Sequence, residues 1–124
     1  MRYLLAACLV ILLAGPLAAE LCVVPLGGYM DRLLENAAIS HTGTLRGQDA
    51  ARWVRAFNEA EPPSNYQADQ ILIIAHRDYP HQTGFVMVYQ GCVVFTGVVP
   101  NEVFDILRSG AHSIRLDSGS GNRV

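Results

Sequence analysis

The stretch His76-Arg77-Asp78-Tyr79-Pro80-His81-Gln82-Thr83-Gly84 gathers two imidazoles, a carboxylate, a phenol and a guanidinium. Three chemistries draw on such a set. His-Arg-Asp opens the catalytic loop of protein kinases, but that loop needs an Asn where Thr83 stands. The chain also has no glycine-rich phosphate loop and no lysine at all, so the kinase reading is dismissed. Metal binding could use His76 and His81 with Asp78 between them, joined by His41 or His112. A zinc site needs three or four ligands converging on one point, and these lie far apart in sequence. Nucleophilic catalysis could pair Cys92 with a histidine that Asp78 orients. Neither a Gly-x-Ser-x-Gly elbow nor a recognisable carboxylate pair accompanies it. No catalytic residue and no cofactor is assigned. His76, Asp78 and His81 stand only as weak metal candidates. Asp, Pro and Gly are also the residues that turns use for backbone reasons. Read so, the stretch is a long hairpin loop of about eight residues, Arg77 to Gly84. Arg77, Asp78, Tyr79, His81 and Gln82 then form an exposed binding loop.

Something must hold that loop. The chain has 124 residues, enough for one domain. It begins as a secretory leader does. Met1-Arg2 gives a basic start, Leu4 to Leu17 an apolar run, and Leu17-Ala18-Ala19 a mostly small-residue end. The run is shorter than the ~20 residues that cross a bilayer, and Gly15-Pro16 breaks it. Cleavage is expected between Ala19 and Glu20. That would remove Cys8 and limit membrane contact to transit. Two cysteines remain, Cys22 and Cys92, and an even pair in an exported chain points to a disulfide. The cations are all arginine and slightly outnumbered by the acids, with a net charge of −2. No basic stripe exists, which argues against nucleic acid as a partner.

Periodicity sets the elements. Met30, Leu33, Leu34 and Ala37 predict a short helix over Tyr29–Asn36, with Gly27-Gly28 as a flexible joint before it. A weak edge strand is expected at Thr42–Arg46. Ala50, Trp53, Val54 and Phe57 fall on one side of an amphipathic helix from Gly47, which Pro62-Pro63 must end. Ile71–His76 is an unbroken β-branched run and reads as a buried strand. Phe85–Gln90 and Cys92–Val99 are two more, joined by a tight turn at Gln90-Gly91. Gly97 inside the last marks a bulge or a close approach. Pro100 suits a first helical position, Val103, Phe104 and Leu107 form an apolar side, and Gly110 is a stop. A flexible tail is expected over 111–124.

The fold class expected is α+β: an antiparallel meander of three or four strands, with two to three helices on one face. The domain should span 20–110. "LRGQDAARWVRAFNEAEPPSNYQADQILIIA" followed by "GFVMVYQGCVV" resembles a class of small exported proteins of Gram-negative bacteria. The resemblance implies periplasmic placement and the meander, and carries no activity with it. The expected function is binding to a protein partner without catalysis. Two alternatives stand beside it. One is a metal-dependent or hydrolytic protein using the His76–His81 loop. The other is a membrane-anchored accessory subunit that keeps its N-terminal segment.

Overall fold

The computed structural model describes residues 22–60 and 62–110. The expected leader, its cleavage point, Cys8, the C-terminal tail and His112 lie outside them. Seven elements follow in order: α1 (Leu26–Leu33), β1 (Ile39–Arg46), α2 (Gly47–Glu59), β2 (Gln70–His76), β3 (Gln82–Tyr89), β4 (Cys92–Pro100) and α3 (Asn101–Ser109). The strands form one antiparallel sheet in the order β1-β2-β3-β4. The α+β meander read from the sequence is therefore present, with four strands.

Residues paired across antiparallel strands point to the same face, so the register sorts every side chain. Leu45, Ile71, Phe85, Met87 and Val99 point to one face, where they meet Trp53 and Phe57 of α2 and Phe104 and Leu107 of α3. Trp53 is fully buried at the centre of this core. Its ring lies 5.4 Å from Phe57, 4.9 Å from Phe85 and 5.3 Å from Phe104. Leu72, Ile74, Val86 and Val88 point to the other face and pack against Leu26, Tyr29, Met30 and Leu33 of α1. Two helices thus share one face, as expected. The third covers part of the opposite face, because alternation in β2 and β3 leaves both faces apolar and both need cover.

Local departures from the sequence reading have local causes. α1 begins at Leu26, so Gly27 and Gly28 lie within the helix and form no joint. Its start is set by tertiary contacts: Pro25 bridges Cys92, and the Leu26 N–H donates to the Gly91 carbonyl at 2.9 Å. It ends before Asn36, whose side-chain oxygen accepts the Ala38 N–H at 2.9 Å and turns the chain into β1. β1 runs the full length from Ile39, bulged at Thr42 between His41 and Gly43. Pro100 ends β4 and caps α3 from outside. Gln90 and Gly91 both have positive φ (51° and 80°). That is the backbone of a two-residue hairpin turn matched to strand twist.

Cys22 and Cys92 are joined by a disulfide, with Cα atoms 5.6 Å apart. The expected bridge is present and fastens the segment before α1 to the start of β4.

Candidate functional site

β2 ends at His76 and β3 starts at Gln82. The connection is thus five residues, Arg77 to His81, shorter than the sequence suggested. Gln82, Thr83 and Gly84 belong to β3, because Gly84 pairs with Ile74 and Val98 and carries the ladder upward.

The loop is tied down at both ends. The Arg77 N–H donates to the Ala38 carbonyl at 2.7 Å. The Tyr79 N–H donates to the His76 carbonyl at 3.0 Å, closing a turn. Within it, His76 Nδ1 accepts the Asp78 N–H at 3.1 Å, which leaves Nε2 as the nitrogen that carries a proton in the neutral ring. The Tyr79 ring lies 4.8 Å from the His76 ring. On the far side, Asn101 at the start of α3 holds the loop in place. Its side-chain N–H donates to the Pro80 carbonyl at 2.9 Å, and its backbone N–H donates to the His81 carbonyl at 3.0 Å. The Thr83 hydroxyl donates to the Asn101 side-chain oxygen at 2.7 Å. Arg77 and Asp78 lie 3.7 Å apart and are both well exposed, a pairing that adds little to stability.

These contacts use up much of the chemistry the sequence offered. Asp78 faces Arg77, not a histidine ring. His41 Nε2 is 2.8 Å from the Thr44 hydroxyl of its own strand. Cys92 is bonded to Cys22 and has no thiol to activate. Among the described residues, no three His, Cys, Asp or Glu side chains come together as metal ligands would.

The loop instead borders a feature that sequence reasoning missed. α1 covers only part of its face of the sheet, and beyond Tyr29 and Leu33 a groove of about 330 Å³ lies open. Its floor is Ile74 and Gly84. Thr96 and Val98 of β4 form one wall, and His76, Tyr79 and Gln82 form the upper rim. Gly84 makes the room: a Cβ there would stand 3.2 Å from the Ile74 Cβ, filling the floor. The glycine was legible only as a turn residue. Its role depends on which strand pairs with which, and periodicity does not give that. Pockets that hold small ligands begin at roughly this volume, and they are typically apolar with a few polar groups at the edge.

No family model, curated protein or solved structure matches this chain.

Proposed function

We propose that this chain is a small exported protein that works by binding, without catalysis, and that the groove beneath the His76–Gln82 stretch takes an apolar segment of a protein partner. The observation that carries this reading is the groove itself: an apolar floor, a polar rim and a rigidly fastened loop beside it. A surface that need not reorganise on binding keeps more of its contact energy. Export to the periplasm or beyond is supported by the leader-like N-terminus and by the Cys22–Cys92 bridge, since disulfides persist in oxidising compartments. Among the described residues no helix is long and apolar enough to cross a membrane.

The test is site-specific photo-crosslinking from position 79 in the exported protein, with Arg55 on the opposite side of the molecule as control. The captured protein is then purified and its affinity measured. Tyr79→Ala with Gln82→Ala should weaken binding about tenfold or more. A partner captured equally well from position 55, or an affinity unchanged in the double variant, sinks the reading.

A further inference from the structure

His76 is the last residue of β2 and stands on the rim of the groove. Its ring takes part in shaping the loop. Nδ1 accepts the Asp78 N–H at 3.1 Å, two residues along the chain. An imidazole nitrogen accepts a hydrogen bond only while it carries no proton. The bond therefore needs a neutral ring. A proton on Nδ1 would set one donor against another, and the two groups must part.

The turn that this bond shapes carries Tyr79. The Tyr79 ring lies 4.8 Å from the His76 ring and borders the same groove. Arg77 is held by Ala38, and Pro80 and His81 by Asn101. Between these fixed points, Asp78 and the Tyr79 side chain are what can move.

Histidine is the side chain whose charge ordinarily changes between about pH 5 and about pH 8. Within the loop, the charged or titratable neighbours of His76 are Arg77, Asp78, Tyr79 and His81. Arg77 and Asp78 are exposed and 3.7 Å apart. From β1, Ile39 pairs with His76, and His41 beyond it is bonded to Thr44. Tyr29 of α1, Gln82 of β3 and Thr96 of β4 share the groove and carry no charge in that range. The carboxylate in this set belongs to Asp78. A charged ring that has let go of the Asp78 N–H can turn to it.

We propose that His76 is a pH-operated latch on the groove. Neutral, it fixes the Asp78 turn and seats Tyr79 at the rim. Protonated, it releases the turn, Tyr79 leaves its place, and the groove loosens its hold on what it contains. That last step rests on the groove being the partner's site; the latch itself does not.

Imidazole and amide NMR of the disulfide-bonded protein from about pH 8 to about pH 5 tests this. Carboxylates ordinarily titrate below this range. At the upper end the His76 proton should sit on Nε2. On acidification the Asp78 amide resonance should shift in step with the His76 ring. Its exchange protection, corrected for the intrinsic rate, should fall about two- to tenfold. His76→Asn supplies an oxygen that accepts the same N–H without titrating, so the Asp78 shift should vanish. His81→Asn and His41→Asn should keep it. An Asp78 amide indifferent to pH overturns the latch. So does a shift that survives His76→Asn, or one that disappears with His81→Asn. If His76→Asn fails to fold, the tautomer and the shared titration in the parent decide. Affinity for the photo-captured partner should fall about two- to tenfold over the same range and stay level in His76→Asn. An affinity that stays level in the parent overturns the control of binding. The spectra need no partner, so a failed latch and a failed partner site give different results.

Discussion

Gly97 shows how much one missing side chain can matter. A Cβ there would stand 2.7 Å from Cζ and 3.0 Å from Cε1 of Phe85. Phe85 cannot step aside, because it is 2% exposed and packed against Trp53 and Phe57. Gly97→Ala should therefore destabilise by ~1–3 kcal/mol, the usual cost of overpacking a core. Gly27 is the opposite case. It sits inside α1 with nothing within 4 Å of its would-be Cβ. Gly27→Ala should stabilise by ~0.5–1 kcal/mol through helix propensity. Urea unfolding of the two variants beside the parent checks both signs. The sequence marks Gly97 as a bulge or a close approach; the structure decides for close approach and puts the bulge at Val94.

At the scale of elements, the passage from α2 to β2 is organised around the Asn58 side chain. The Asn58 side-chain oxygen accepts the Tyr66 N–H and the Ser64 hydroxyl, each at 3.0 Å, while its N–H donates to the Tyr66 carbonyl at 2.9 Å. This positions Tyr66 beside Phe57 and Phe95, with ring centres at 6.1 and 4.8 Å. Asn58→Ala leaves partly buried backbone groups unpaired and should cost about 1–3 kcal/mol. Hydrogen exchange should show faster exchange at Tyr66 and little change at Ile71. From sequence, Asn58 is only a polar residue on the outer side of a helix. Its partners come later in the chain, and a local pattern cannot name them. The elements themselves were legible where the pattern was strong. α2, β2 and the Gln90-Gly91 turn fall close to where spacing and turn chemistry put them. α1 was displaced because its start rests on Gly91 and Cys92, far along the chain. The candidate loop was placed correctly between two strands. Its groove was invisible, because it forms where α1 leaves Thr96 and Val98 of β4 uncovered.

For the molecule as a whole, the sheet is the layer that both cores share. One core is rich in aromatics beneath α2 and α3, and the other is smaller and aliphatic beneath α1. α1 is a short helix with no fully buried residue, so its hold on the sheet leans on the contacts of Val24, Pro25 and Leu26 with the start of β4 and on the disulfide. The bridge closes a loop of 70 residues. In the chain-entropy model that contributes roughly 4 kcal/mol. Cys22→Ser with Cys92→Ser should lower the unfolding free energy by about that amount or somewhat less. Exchange protection should fall first in α1 and last around Trp53 and Met87. Equal loss across the molecule would show that the bridge does not hold α1 locally.

The same bridge has a consequence for survival among proteases. Its two ends enclose α1, β1, α2, β2 and β3 in a single covalent ring; among the described elements, β4 beyond Cys92 and α3 lie outside it. The exposed passages of that ring, at Pro62–Asn65 and Arg77–His81, are where a protease would cut. One cut in either opens the ring without dividing the molecule. The two pieces stay joined through sulfur, and the sheet keeps its strands beside one another. A nick thus becomes a wound the fold can carry rather than the first step of its loss.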